Sequence, residues 1–214
     1  MELVWRHAGF LLLGAYYTLL VTVVSMAIGL VVGLANAIAW LYGPAPLKRI
    51  ARGYVSIIRG TPLLVQLFVI YYGLPDLGIT LGPLTSAYIA LSLDAGAYLS
   101  ETFRGAILSV HKGQVEAAYS LQLSPWQTMR RIVLPQAARV AIPPMGNTFI
   151  GMLKQTSLVS VITVTELVRA AQLLIAQYYV VMPFYLAVAV MYWVLSQLFS
   201  AILRRVEGRL AVAY

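Results

Sequence analysis

The chain has 214 residues, 61% of them hydrophobic and only 10% charged, with a mean hydropathy of +0.83. Soluble domains carry about 25% charged residues, so this composition excludes a water-soluble globular protein and predicts an all-α integral membrane protein. The net charge of +8 raises a nucleic-acid reading, but the basic residues sit beside apolar runs rather than in a basic domain, which is the pattern of membrane topology.

The opening Met-Glu-Leu-Val-Trp-Arg-His lacks a basic n-region, and the apolar run behind it is too long for an h-region, so no cleavable signal peptide is expected. Between Arg6 and Lys48 there is no formal charge, a stretch longer than the roughly 20 residues a spanning helix needs. Its centre, Gly9 to Leu41, predicts one span with extra turns or tilt. Gly29, Gly33 and Ala37 fall four apart, a small-residue ladder that lets another helix approach closely. Gly43, Pro44, Pro46, Lys48, Arg49, Arg52 and Arg59 then predict a basic loop, with Ile50, Ala51, Tyr54 and Ile57 along the membrane interface.

Thr61 and Pro62 read as the N-cap and first residue of a short second span that runs to about Tyr72. Gly73 to Pro83, with Asp76 and no basic residue, predicts an external loop. A third span covers Leu84 to Leu108 and carries charge inside it. After a polar stretch, Val140 to about Ala171 is apolar but interrupted by Pro143-Pro144 and by Lys154-Gln155-Thr156-Ser157. Consecutive prolines break a helix, which predicts a broken helix or a helix pair. Glu166, Arg169 and Gln172 mark the polar approach to the next loop, and a final span from Met182 to Leu203 ends in Arg204, Arg205 and Arg209.

Lys48, Arg49, Arg52 and Arg59, then Lys112, Arg130, Arg131 and Arg139, then the three C-terminal arginines fall on one side of this five-span topology. The positive-inside rule makes that side cytoplasmic and leaves the N-terminus outside. The chain is expected to form a single transmembrane domain over 1–214. With no cysteine it has no disulfide framework or thiolate metal site.

Asp94, Glu101 and Arg104 recur at steps of seven and three, which on a helix bring them onto roughly one stripe. A charge at membrane depth costs at least about 2.5 kcal/mol unless paired or solvated, so three on one face argue for a polar cavity. One reading is a purely structural Glu101–Arg104 ion pair. The other is a zwitterion site in which Arg104 takes a carboxylate through its planar fork and Glu101 or Asp94 takes an ammonium. Lys154 to Ser157 forms a second polar interruption that could line the same cavity, placing Gln155 and Thr156 beside the substrate; for Lys154 a snorkelling role is as good a reading.

The polar segment of about 110–137 predicts two short helices. Lys112 to Leu121 has a narrow apolar stripe of Val115, Ala118 and Leu121. Ser124 as N-cap, Pro125 at the first position and Gln127 completing a capping box start the second helix. Pro135 is expected to end it near Leu134. Two short helices joined tightly at a cytoplasmic surface make a knob suited to a groove on a partner.

Glu116-Ala117-Ala118, followed by Ile132, Leu134 and Pro135 at fixed spacing, resembles the coupling segment of ABC-importer permeases. Arg59-Gly60-Thr61-Pro62-Leu63-Leu64-Val65-Gln66, Glu101-x-x-Arg104-Gly105 and Leu153-Lys154-x-Thr156-Ser157-Leu158 resemble the polar amino-acid permeases of the histidine/glutamine/arginine importer group. The resemblance covers nearly the whole chain. It implies the type I importer fold, a place in the bacterial cytoplasmic membrane, and one of two transmembrane subunits, the second being the same chain or a paralogue. It also implies an ABC ATPase dimer as partner, an external solute-binding protein, and a small polar amino acid as substrate. Glu116, Ala117, Ala118, Gln122, Leu134 and Pro135 would then be coupling positions toward the ATPase, and Glu101 and Arg104 would face the substrate path. No cofactor is expected in this chain, because ATP would bind the partner ATPase and no phosphate-loop motif is present.

Two positions depart from the family pattern. Gln122 occupies the place of a glycine, so either the turn avoids a positive φ or it tolerates strain on the order of 1–2 kcal/mol. Asp94 stands where relatives commonly carry a neutral polar residue, and an extra acid there favours a cationic amino acid or pairs with Arg104. An ion-coupled secondary transporter using Asp94 or Glu101 would account for the acids but leaves the cytoplasmic knob without a use. A membrane enzyme has little to work with, since His7 and His111 are the only histidines.

Overall fold

The structure, a computed structural model, describes residues 2–211, and no strand occurs among the described residues. The short α1 (Glu2–Arg6) leads into α2 (Ala8–Tyr42), a single helix of 35 residues. α3 (Ala45–Gly60) follows, then α4 (Leu63–Phe68), which widens into a π turn over Val69–Gly73 and tightens into a 3₁₀ turn over Leu74–Leu77. α5 (Pro83–Leu108) leads to α6 (Lys112–Ser120) and α7 (Pro125–Thr128). A π turn over Met129–Val133 joins α7 to α8 (Leu134–Gln155), and a 3₁₀ turn over Thr156–Ile162 precedes α9 (Leu167–Tyr178) and α10 (Met182–Ala211).

By length and apolarity, α2 and α10 are long enough to cross a membrane, and up to four spans result if two bent pairs each count as one. Those pairs are α3 with 63–77, bent by 104°, and 125–162 with α9, bent by 45°. α5, at 26 residues, is about 39 Å long at 1.5 Å per residue, but it carries Asp94, Glu101 and Arg104 among its apolar residues.

The centre of the bundle is the α2–α5 pair, and its chemistry is that of small residues. With lipid on the outside, helices associate by close packing rather than by hydrophobic exclusion from water. A Cβ added at Gly29 would lie 2.9 Å from the Ala95 Cβ, and one at Gly33 would lie 2.8 Å from the Leu99 Cβ and 2.9 Å from the Gly96 carbonyl oxygen. The ladder read from sequence is therefore the contact face with α5. Nearer its N-terminus α2 meets α9, where Gly14 abuts Ala170 and the Leu167 backbone. α10 keeps Phe184 and Val188 inside and exposes Val190, Trp193, Val194 and Leu198, the surface expected of a helix with lipid at its back.

Four expectations change. The basic loop is the helix α3, because its prolines fall at the start, Pro44 at the N-cap and Pro46 in the first turn, and nothing breaks the chain before Gly60. α3 buries Ala51 and Val55 and exposes Ile50 and Ile57. Thr61 does not cap α4: Pro62 takes the N-cap position and the Thr61 hydroxyl donates back to the Ile57 carbonyl at 2.9 Å. Pro135 does not end the α7 helix, because the π turn absorbs it; the Leu134 N–H donates to the Met129 carbonyl five residues back, and Pro135 enters where α8 starts. Pro143 and Pro144 lie inside α8 without ending it, Pro143 half-buried and Pro144 exposed; membrane helices tolerate such prolines. The expected helix pair is present, but its break comes at Thr156–Ile162, at the second polar interruption and not at the prolines, after which Thr163 takes a left-handed φ of 67°.

Candidate functional site

Arg104 lies one turn before the end of α5. Its Nε and Nη2 both donate to one oxygen of Glu101, at 3.0 and 2.6 Å, and the pair stays about a quarter to a third exposed. A spacing of three puts the two residues on neighbouring positions of one helix, and the guanidinium closes over a single carboxylate oxygen. The Arg104 guanidinium carbon lies over the Trp40 ring of α2, 4.8 Å from its centre, and Arg52 of α3 approaches the same ring at 5.9 Å. Nearby, Arg59 stands 4.9 Å over the Tyr98 ring, and the Asn36 amide joins the three helices by donating to the Ser100 hydroxyl at 2.7 Å and the Ala51 carbonyl at 3.3 Å. The result is a half-buried, mainly cationic surface where α2, α3 and α5 meet.

Asp94 is not part of this contact. It lies two turns back along α5 and is 7% exposed, next to Leu93, whose carbonyl accepts the Tyr54 hydroxyl at 2.6 Å. Among the described residues no hydrogen bond or ion pair reaches its carboxyl, so Arg104 pairs with Glu101 and not with Asp94. Thr156 is fully buried and its hydroxyl donates to the Leu153 carbonyl at 2.7 Å. Ser157 and Ser160 do the same three residues along, to Lys154 and Ser157. In this structure the Leu153 to Leu158 motif builds the 3₁₀ turn. Gln155 is half-buried and Lys154 is exposed, and neither is bonded to Glu101 or Arg104.

The Arg59 to Gln66 motif also has a structural use. The Gln66 side chain, 8% exposed, donates from its amide to the Ile58 carbonyl at 2.9 Å and the Thr61 carbonyl at 3.1 Å, fastening the elbow between α3 and α4. Sequence reading left Gln66 without a role. It also read Glu166 only as part of a polar approach to a loop, whereas Glu166 is 0% exposed. Glu166 caps α9: one carboxylate oxygen accepts the Arg169 N–H and the other the Val168 N–H, each at 2.8 Å, while the Tyr192 hydroxyl of α10 donates at 2.9 Å. The Leu167 N–H goes to the Thr18 hydroxyl of α2 at 3.3 Å, so three of the N–H groups that every helix start leaves open are satisfied.

Beyond α5 the chain enters the two-helix knob. The capping box is present: the Gln127 N–H donates to the Ser124 hydroxyl at 3.3 Å and the Ser124 N–H to the Gln127 side-chain oxygen at 2.8 Å. α6 ends in a Schellman motif, with the Leu123 N–H on the Ala118 carbonyl at 3.1 Å and the Gln122 N–H on the Tyr119 carbonyl at 2.9 Å. Gln122 takes φ 58°, so the turn keeps the glycine conformation with a bulkier residue. The amide of Gln136 on α8 bonds the Gln114 side chain of α6, tying the knob to the bundle.

Of the coupling positions, Glu116, Ala117, Gln122 and Pro135 are exposed and Leu134 is 42% exposed, whereas Ala118 is buried at 3% and packs within the knob. Leu121, expected on the inward stripe, is instead 76% exposed, and Trp126 is 67% exposed. The early end of α6 turns Leu121 outward. A cavity of about 240 Å³ behind the knob is lined by Leu34, Phe103, Ala106, Leu134, Ala137 and Ala141; its apolar walls do not suit a polar ligand. Among the described residues no group of His, Asp or Glu side chains is arranged to hold a metal.

Residues 25–212 match the family model described as binding-protein-dependent transport system inner membrane component. The L-cystine transport system permease protein of Bacillus subtilis (strain 168) is 46% identical over 198 residues, 92% of this chain and 85% of that protein. The glutamine transport system permease protein of Escherichia coli (strain K12) is 41% identical over 213 residues, 98% of this chain and 96% of that protein. Among solved structures, an amino acid ABC transporter crystallised with histidines superposes with a TM-score of 0.93 at 36% identity, covering 96% of both chains. An inward-facing methionine ABC transporter superposes with a TM-score of 0.80 at 21% identity, covering 96% of this chain and 98% of the other, a likeness of fold alone.

Proposed function

Because this chain belongs to the family of binding-protein-dependent transport system inner membrane components, we propose that it moves a polar amino acid through a path that opens at the Glu101–Arg104 surface. It is a permease subunit of an amino-acid ABC importer, and its class needs a separate ATPase and an external binding protein. It pairs with a second permease subunit, and its cationic loops lie in the cytoplasm, with the N-terminus outside.

One observation carries this reading. The half-buried Glu101–Arg104 pair lies a single turn from the end of α5, and α5 continues directly into a knob that exposes Glu116, Leu121 and Trp126. A movement of the knob, driven by ATPase closure, therefore acts on the helix that carries the charges. Arg104 takes the substrate carboxylate through its planar fork, and Glu101, released from Arg104, takes the ammonium. The unbonded Asp94 carboxyl adds a negative charge deeper in the same helix, and the half-buried Gln155 borders the path at the polar break, whereas the fully buried Thr156 shapes the turn behind it.

The reading is tested by co-expression with the ATPase and binding protein, followed by ATP-driven uptake in liposomes. The ATPase is expected to copurify, and Glu116→Lys is expected to uncouple hydrolysis from uptake. An ATPase that does not copurify, or full uptake by Glu116→Lys, overturns the coupling role of the knob.

A further inference from the structure

Arg104 has two partners of different kinds. Glu101 engages its N–H donors in the guanidinium plane, at 3.0 and 2.6 Å. Trp40 engages the same guanidinium with its ring face, 4.8 Å from the guanidinium carbon to the ring centre. A guanidinium has five N–H donors, and Glu101 takes only two of them. A carboxylate can therefore displace Glu101 from Arg104 while the cation–π contact stays in place. Trp40 is half-buried near the end of α2, and the approach of Arg52 to the same ring fixes it from α3 as well. Two cations that would repel each other in an apolar setting are each drawn to the ring's negative face.

We propose that Trp40 is a positioning residue, one that holds the Arg104 guanidinium so that its donor edge is presented to the carboxylate of the transported amino acid. The inference rests on the permease reading above and adds a residue to it. Without the ring, Arg104 keeps its charge but loses its orientation, and exposed arginine side chains hold one geometry only at an entropic cost. A cation–π contact of this kind is worth about 1 kcal/mol, so removing it weakens binding by on the order of fivefold to tenfold.

The test measures binding of tritiated L-glutamine, L-cystine, L-histidine and L-arginine to the purified permease–ATPase complex, for Trp40→Leu, Trp40→Phe, Arg104→Gln and the double variant Trp40→Leu/Arg104→Gln. Trp40→Leu is expected to raise the Kd of the bound amino acid about fivefold to tenfold. Trp40→Phe, whose ring has a weaker quadrupole, is expected to fall between, about threefold, and decides the matter alone if the leucine variant does not assemble. In the Arg104→Gln background, Trp40→Leu is expected to change nothing further, since residues that act through one another are not additive. An additive loss in the double variant, or a wild-type Kd for Trp40→Leu or Trp40→Phe, overturns the positioning role while leaving the permease reading intact. Binding of none of the four amino acids by the wild type, or a wild-type Kd for Arg104→Gln, overturns the substrate surface and the inference with it.

Discussion

Glu101 and Glu166 are both carboxylates within the helical bundle, and the structure treats them in opposite ways. Glu166 is fully buried, and both its oxygens are occupied by two backbone N–H groups and the Tyr192 hydroxyl. Glu101 is partly exposed, and both contacts from Arg104 fall on one oxygen. A fully buried carboxylate with both oxygens bonded to fixed donors has no room for a ligand, and its work is to cap α9 and tie it to α10. A carboxylate with an idle oxygen, in a pair that solvent reaches, can exchange its partner. Charge at membrane depth therefore identifies a site only when some of its hydrogen-bonding capacity is left over.

Substitutions can break this contrast. Glu166→Ala removes the cap and three hydrogen bonds at once. Caps are worth about 1 kcal/mol and bonds to a charged group about 1.5–3 kcal/mol each before compensation, so the loss is expected to be about 3 kcal/mol. It should appear as a large drop in the melting temperature of the purified complex, and a wild-type melting temperature would remove Glu166 from the scaffold. Tyr192→Phe deletes one of those bonds and is expected to cost about 1.5 kcal/mol, with transport unchanged in the protein that assembles. Glu101→Gln lies on the other side of the contrast. Partly exposed pairs contribute about 1 kcal/mol or less, so stability should hold within that margin while uptake falls several-fold; a variant that loses stability and keeps uptake would make Glu101 a second Glu166. The smallest effect is expected at Gln122→Gly, which relieves a left-handed residue and should stabilise the knob by about 1 kcal/mol with uptake retained.

What was legible in the sequence was whatever local chemistry decides. Ser124, Pro125 and Gln127 specify a capping box within four residues, and Glu101 and Arg104 are brought together by one helical turn. The glycine ladder of α2 was legible as a packing face, but only the fold names α5 as its partner. Pro143-Pro144 misleads because the rule against prolines states a cost and not a prohibition, and α8 runs on through both. The capping role of Glu166 was illegible because its partner across the bundle, Tyr192, lies 26 residues away and is brought to it by the fold. Trp40 was missed for the same reason, since 64 positions separate it from Arg104. Leu121 was misassigned because a stripe of three apolar residues does not reveal that the helix ends one residue before it.

The central claim is that the pair at the end of α5 is the one with capacity to spare, and that Arg104 uses it on the transported amino acid. It is tested most directly by ATP-driven uptake into liposomes carrying the complete complex, with the wild type and Arg104→Ala compared at equal amounts of assembled, ATP-hydrolysing protein. Uptake of a polar amino acid is expected for the wild type, with at least a tenfold loss in Arg104→Ala. Equal uptake by the two would contradict it and return Glu101–Arg104 to the same structural role as Glu166.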